Sequence, residues 1–252
     1  MIKYLTLILF GFLSNNIIQS QIDFSKKWIS VLEANSGFQK VDLRTFDNLD
    51  FSKVISNQLR FENDPISTYI GIFGPNYHRI DFYLKATKNG NNYSLTGKSK
   101  LDQNIRELNG AMNLRMALSR RQNYITDSLY IAIFDCVLRE PGNKDGDGVF
   151  TGVFSLVFYK KDNEVYLFKT DSGDEPTYTN TFVGKWNQNN SIIERKVIFS
   201  FQPAGLYEKL PFCEELYTIK DFNDDYLIIK PEYEKYGWAD FNYKGKKTDW
   251  WK

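Results

Sequence analysis

Apolar and polar side chains alternate along most of the chain, from about residue 66 to residue 202. The alternation is clearest in "HRIDFYLKATK", "SLYIAIFDCVLRE" and "GVFTGVFSLVFYKK", which are separated by segments containing Gly, Asn and Asp. A period of two residues places successive side chains on opposite faces of a β-strand, whereas a helix repeats every 3.6 residues. Many short strands joined by turn residues predict an antiparallel sandwich or barrel for residues 66–202.

Two segments refine this strand assignment. The sequence "KNGN", residues 88–91, predicts a tight hairpin turn, because Asn and Gly adopt the left-handed backbone that such turns need. The segment "RELNGAMNLRMAL" predicts a strand rather than a helix, since its large apolar residues fall on one face at a period of two. These residues are Met112, Leu114, Met116 and Leu118.

Four of the predicted strands carry a glycine near the middle: Gly97, Gly110, Gly152 and Gly184. A glycine inside a strand weakens a flat sheet but lets the strand bend sharply or approach a neighbour closely. Their recurrence favours a curled antiparallel sheet or a lipocalin-like barrel. Barrels of about eight strands either enclose one small ligand or are filled by their own side chains, and the pattern leaves both open.

The segments on either side of this β region have different patterns. Residues 21–65 predict a short helix followed by an extended lead-in: Asp23 is a suitable N-cap, and Gly37 is suited to end the helix. Phe24, Trp28, Val31 and Leu32 share one face of that helix. Residues 203–252 have no clean period and are rich in Tyr, Trp and acidic residues, which predicts an irregular C-terminal cap.

The first 20 residues have the pattern of a signal peptide. Lys3 gives a positive start, "YLTLILFGFL" is an apolar run about half the length that spans a bilayer, and a polar stretch ends at Ser20. This pattern predicts cleavage near Ser20 and a mature protein, without a transmembrane segment, that is periplasmic or secreted. No cysteine lies near the predicted cleavage site, so a lipid anchor on a new N-terminal cysteine is not expected.

Several segments resemble a family of uncharacterised secreted bacterial proteins that are rich in β-structure. These segments are "YIGIFGPNYHRIDFYL", "YSLTGKSK", "ELNG", "GVFTGVF", "NTFVGKW" and "PEYEKYGW". With gaps, the resemblance runs from about Asp42 to Trp238. The shared motifs are turns and strand glycines, so the resemblance implies a β-rich fold and transfers no catalytic residue.

The chain is nearly neutral overall, but its charged residues are unevenly distributed along the sequence. The formal net charge is +1, so electrostatics gives no reason to expect nucleic acid as a partner. Basic residues predominate from Arg79 to Arg121, and acidic residues predominate from Glu208 to Asp240. Either the two segments lie together and neutralise one another, or the first forms a basic face that attracts acidic ligands.

The only cysteines, Cys136 and Cys213, allow a single disulfide bond. Export makes that bond feasible, because oxidising compartments permit disulfides. Cys136 lies in an alternating strand segment, and cysteine is among the residues most often buried. Two buried free thiols are therefore the alternative.

The segment "GNKDGDGVF" begins like a calcium-binding loop, with Asn143, Asp145 and Asp147 at alternate positions. A complete EF-hand loop needs a bidentate glutamate at its twelfth position, and counting from Asn143 that position is Phe154. The flanking segments are predicted strands rather than helices. These three residues are therefore weak metal candidates, and a hairpin loop is the favoured interpretation.

Candidates for catalysis are few. Asp171-Ser172-Gly173 matches an aspartic-protease triplet, but those enzymes need two such aspartates and no second copy is present. Asp171, Asp174 and Glu175 could serve a glycosidase as carboxylates. The single histidine, His78, excludes a multi-histidine metal site and would have to carry any Ser-His or Cys-His catalysis. No phosphate-binding or dinucleotide fingerprint points to a cofactor.

These observations leave three functional hypotheses. The first is an exported, non-catalytic protein that binds a small apolar or glycan ligand; the second is an exported hydrolase with paired carboxylates; the third is a structural or envelope-interaction protein. An enclosed apolar cavity would favour the first, and two carboxylates facing each other in an open cleft would favour the second. A barrel filled by side chains would favour the third. The oligomeric state is not indicated by the sequence.

Overall fold

The computed structural model describes residues 24–34, 37–56, 68–120, 129–142, 144–161, 163–167, 180–200, 215–221, 224–241 and 250–252. The helices are α1 (Phe24–Ala34) and α2 (Ser52–Ile55), with 3-10 turns at Leu43–Phe46 and Pro231–Tyr236. The strands are β1 (Gln39–Lys40), β2 (Tyr69–Phe73), β3 (His78–Asn89), β4 (Asn92–Leu101), β5 (Asn104–Arg120), β6 (Leu129–Arg139), β7 (Gly148–Lys161), β8 (Glu164–Leu167), β9 (Thr181–Gln188), β10 (Glu194–Ser200), β11 (Tyr217–Asp221) and β12 (Asp224–Ile229). Within these ranges, every helix is too short or too polar to span a bilayer.

The strands form a closed antiparallel ring, which confirms the predicted mainly β fold and its curled sheet. Hydrogen-bonded neighbours follow the order β5-β4-β3-β2-β10-β9-β7-β6, and β6 pairs again with β5. This is the order of an up-and-down barrel, in which the first and last strands also pair. The hairpin between β3 and β4 turns at Gly90, where φ is +62°, as the sequence "KNGN" predicts.

Aromatic side chains fill the interior of the ring. Four phenylalanines of one buried cluster are fully buried: Phe82, Phe154, Phe182 and Phe199. The ring of Phe199 lies 4.2 Å from that of Phe82 and 4.7 Å from that of Phe182, centroid to centroid. Aromatic rings at such distances are in contact, so the middle of the barrel is occupied by its own side chains.

Room for these rings comes from glycines that face inward. Gly152 on β7 is paired directly with Gly184 on β9. A Cβ atom at Gly152 would lie 2.6 Å from the Cα of Gly184 and 3.0 Å from the ring of Phe182. The two strands therefore approach each other, and the Phe182 ring lies over them, only because both positions lack a side chain.

The long strand β5 does not keep one apolar face, contrary to the sequence prediction. A β-bulge between Leu114 and Met116 shifts the register against β6. Met112 and Leu114 consequently belong to the interior cluster, whereas Met116 and Leu118 contact the cluster outside the barrel. A bulge inserts one residue, and one residue reverses the face on which every later side chain lies.

The predicted extended lead-in instead closes one end of the barrel. We call residues 43–56, which include the first 3-10 turn and α2, the plug. Phe51, which is 1% exposed, packs its ring 5.6 Å from that of Phe134 inside the barrel. The backbone of the plug is also held: the hydroxyl of Tyr69 donates to the carbonyl of Ile55 at 2.5 Å, and the amide of Ala86 donates to Ser56 Oγ at 2.9 Å.

A second buried cluster lies on the outside of the barrel, under α1 and the C-terminal region. The helix buries Trp28, Ile29 and Leu32, and Trp28 Nε1 donates to Ser155 Oγ on β7 at 3.0 Å. Trp238, fully buried, joins the same cluster. The C-terminal region is more regular than predicted, because β11 and β12 pair as a hairpin.

Candidate functional site

The segment with the calcium-loop pattern is the β6–β7 loop at the barrel end opposite the plug. Asp147 is 2% exposed, and its Oδ2 accepts from the amides of Gly142 and Lys144, each at 3.0 Å. Its Oδ1 accepts from Arg106 on β5. The Asp147 carboxylate thus binds its own loop and one arginine; Asp145 is exposed, and Asn143 lies outside the described residues.

Arg106 also faces a second buried carboxylate, that of Glu140 at the start of the same loop. Glu140 Oε2 accepts from the amide of Gly148 at 2.6 Å and from Trp186 Nε1 at 3.1 Å, and Oε1 lies 3.8 Å from Arg106 Nε. Burial raises the pKa of Glu140, while the hydrogen bonds and Arg106 act in the opposite direction. The two carboxylates are directed at the loop backbone and at Arg106, so this cluster holds the β6–β7 loop in place.

The other residues with candidate chemistry are separated from this cluster. His78 begins β3, where its Nδ1 lies 3.8 Å from Asp102 Oδ2 and its ring lies 4.7 Å from that of Tyr236. Asp171, Asp174 and Glu175 lie outside the described residues. Within the described ranges, His, Cys, Asp and Glu side chains do not form a group of three that could hold a metal ion.

Cys136 is a strand residue, as predicted, and its side chain lies in the barrel interior. It is 2% exposed, and burial raises the pKa of its thiol well above the usual range. Cys213 lies outside the described residues, so the Cys136–Cys213 bond stays a prediction.

The basic and acidic segments of the sequence meet at one point in the described structure. Arg79 on β3 pairs with Asp240 at 2.6 Å and with Asp81 at 2.9 Å. Burial raises the pKa of Asp81, and Arg79 opposes that effect. Neutralisation between the two segments thus includes Arg79, while Lys85, Lys98, Lys100 and Arg115 of the first segment lie on the outer surface of the barrel.

Within the described residues, one part of the outer surface of the barrel is exposed rather than packed under another element. We call it the open face; it consists of the outward residues of β3, β4 and β5 with the adjoining end of β6. Its members are Tyr83, Lys85, Thr87, Ser94, Thr96, Lys98, Lys100, Ile105, Glu107, Asn109, Ala111, Asn113, Arg115, Asp135 and Arg139. Most are exposed, and their short polar side chains contrast with the valines and isoleucines buried on the opposite half.

The centre of the open face is a straight cross-strand row. Lys85 is paired with Thr96, Thr96 with Asn109, and Asn109 with Arg139. All four residues are exposed. The row therefore presents a hydroxyl and an amide between two cationic side chains, which suits hydrogen bonding to a polar ligand.

An aromatic pair borders this row. Tyr83, two residues before Lys85 on β3, stacks on Trp251, with ring centroids 5.5 Å apart and an interplanar angle of 12°. Lys85 Nζ lies 5.7 Å from the centre of the Tyr83 ring. Both rings are partly exposed, so apolar surface adjoins the polar row.

A small depression lies between the plug and the β3–β4 turn. Leu43, Phe46, Leu49 and Leu114 supply its apolar lining, with Tyr93 and Lys88 at its polar side. Its volume is about 60 Å³. Small-molecule sites usually measure ~300–1,000 Å³, so this depression is suited to a few solvent molecules at most.

The sequence analysis identifies the basic segment that contains most of the open face. It does not identify the row of four residues at the centre of that face. The row depends on register between four strands, and register is not visible in a single strand. A usable signal exists in the difference between strands: "GVFTGVFSLVFYKK" is apolar on both faces, whereas "YSLTGKSK" is apolar on one. In the described part of the chain, strands of the second kind are those whose outward residues are exposed.

Comparison of the chain with models of protein families, with curated proteins and with solved structures gave no match.

Proposed function

We propose that the protein is an exported, non-catalytic interaction protein that binds a glycan on its open face. The observation that carries the proposal is the contrast between a barrel interior filled by aromatic rings and an uncovered outer face of hydroxyl, amide and cationic groups. By the criterion stated above, a filled barrel favours an interaction protein over a carrier of small apolar ligands. Glycans match a surface of this kind, because they offer many hydroxyl groups and also apolar faces for aromatic rings.

The state of the buried carboxylates supports the non-catalytic part of the proposal. Glu140 and Asp147 share Arg106 and accept hydrogen bonds from backbone amides, and Asp81 is bound to Arg79. Paired carboxylates for glycoside hydrolysis must flank a substrate, with one of them available to protonate the leaving group. The contacts of these three residues instead stabilise the fold.

Export remains part of the proposal because of the sequence of residues 1–20. The native host should release a product that lacks Met1 to about Ser20, since the apolar run fits signal-peptide processing better than bilayer spanning. Intact-mass measurement of protein recovered from the periplasm or medium tests this. A product that retains Met1 would contradict export by this route.

Binding on the open face is testable with the double variant Thr96→Ile, Asn109→Val. It removes the hydroxyl and the amide at the centre of the row while keeping residues that favour strands. Affinity electrophoresis through gels containing dextran, xylan or polygalacturonate should show retardation of the wild-type protein by at least one polysaccharide. The double variant should lose most of that retardation.

The control for that experiment is Thr151→Ile on β7, outside the open face. It should migrate as the wild type does. Equal retardation of the wild type and the double variant would place the binding elsewhere, and migration unaffected by all three polysaccharides would contradict glycan binding.

A further inference from the structure

We infer that the ligand of the open face is an anionic polysaccharide, such as a polyuronate; this inference rests on the function proposed above and adds the charge of the ligand. The first observation is the charge of the face itself. Its cations are Lys85, Lys98, Lys100, Arg115 and Arg139, and its acidic residues are Glu107 and Asp135. Five minus two leaves an excess of three positive charges, whereas the whole chain has a formal net charge of +1.

The second observation is that the cations of the central row are available to a ligand. Arg115 is bound to Asp135 at 3.1 Å, and Lys98 lies 3.6 Å from Glu107. Within the described residues, Lys85 and Arg139 take part in no ion pair of this kind, and both are exposed. A guanidinium group can bind a carboxylate or sulfate through two parallel hydrogen bonds, so Arg139 suits such a group well.

The third observation is the distance between these two cations. Three strand spacings separate Lys85 from Arg139, because Thr96 on β4 and Asn109 on β5 lie between them. Neighbouring strands are about 4.8 Å apart, so the two Cα atoms are separated by about 14 Å around the barrel. A polymer with an acidic group on successive units is suited to contact two cations that arise this far apart on the sheet.

The groups beside and between the cations favour a polysaccharide over other polyanions. Thr96 and Asn109 can donate to and accept from sugar hydroxyl groups. The Tyr83–Trp251 stack supplies an apolar surface for a sugar ring. A lipid surface would be served better by several large apolar side chains, and on the open face Ile105 is the exposed one among the described residues.

The test compares the wild type with the charge-reversal variant Lys85→Glu, Arg139→Glu, using polygalacturonate as the probe and dextran as the neutral comparison. Titration calorimetry at low salt should show polygalacturonate binding that weakens about tenfold or more in the variant. Added salt should weaken wild-type binding, because exposed charges are screened. Monomeric galacturonate should bind far more weakly than the polymer.

The matched control is Lys53→Glu, Lys144→Glu, which makes the same change in net charge at two exposed lysines outside the open face. Compared with the wild type at about 0.15 M salt, where screened charges act over only about 8 Å, it should bind polygalacturonate within about twofold. An equal loss in this control would show that net charge, and not the row, governs binding, and would contradict the inference.

The remaining outcomes separate the inference from the proposed function. Equal binding of dextran and polygalacturonate, lost in Thr96→Ile, Asn109→Val but kept in the charge-reversal variant, would overturn the anionic ligand and leave glycan binding standing. Binding of neither polysaccharide would overturn both. Binding of phosphatidylglycerol vesicles in place of polygalacturonate, sensitive to the charge reversal, would replace the polysaccharide with a lipid surface. Monomer binding as tight as polymer binding would contradict the two-cation geometry.

Discussion

Arg106→Met is expected to reduce the free energy of unfolding by about 3–5 kcal/mol. The substitution keeps an unbranched side chain of similar length but removes the cation that Glu140 and Asp147 share. Both carboxylates are almost completely buried, with side-chain exposures of 5% and 2%, so water does not replace the lost partner. Chemical denaturation of the purified variant measures the loss.

The pH dependence of this loss has a definite sign. Burial already raises the pKa of Glu140, and removal of Arg106 takes away one of the influences that lower it. A carboxyl whose pKa is higher in the folded than in the unfolded state destabilises the fold as pH rises through that folded value. The loss of unfolding free energy caused by Arg106→Met should therefore be larger at neutral pH than at mildly acidic pH.

Arg115→Met on the same strand is the matched control. Its partner Asp135 is exposed, and exposed ion pairs contribute about 0–1 kcal/mol. An Arg106→Met variant no less stable than Arg115→Met would mean that the β6–β7 loop does not depend on the buried cluster.

Gly152→Val is expected to cost about 3 kcal/mol, the upper part of the range for overpacking. The new Cβ would meet the carbonyl of Val183 and lie 2.6 Å from the Cα of Gly184, which are backbone atoms of the neighbouring strand. Backbone atoms within a closed ring cannot move aside as the end of a flexible side chain can. Two methyl groups would then also contact the Phe182 ring, 3.0 Å from the Cβ.

Ala111→Val is the control for this overpacking. Ala111 lies on β5 and is exposed on the open face. Valine favours strands, so this variant should be neutral or slightly stabilised. A Gly152→Val variant with the same denaturation midpoint as the wild type would contradict the close approach of β7 and β9.

The fold was largely predictable because its signals are local. Alternation at a period of two identified the strands of the ring, and glycines such as Gly152 and Gly184 indicated that the sheet curls. In "GVFTGVFSLVFYKK" the residues at even spacing from Gly152 include Phe150, Phe154, Leu156 and Phe158, and all four belong to the interior cluster. Each inference needed only neighbouring residues of one strand.

Features that depend on distant partners were not predictable in this way. The bulge between Leu114 and Met116 follows from pairing with β6, and no turn residue marks it. The sequence of the plug shows no sustained hydrophobic periodicity, because its apolar residues enter the barrel from a short turn and a four-residue helix. The sequence pattern makes Asp147 a metal candidate, but its partner in the structure, Arg106, lies 41 residues away.

The claim that the ligand contacts the outer face of a filled barrel is tested most directly by mapping backbone amide chemical shifts. Isotope-labelled protein would be titrated with short oligogalacturonates and followed by two-dimensional NMR. The account predicts that the largest changes are at Lys85, Thr96, Asn109 and Arg139, with small changes at Phe182 and Phe199 in the interior. Shift changes confined to inward-facing residues of the barrel or to the plug, with the open face unaffected, would contradict it.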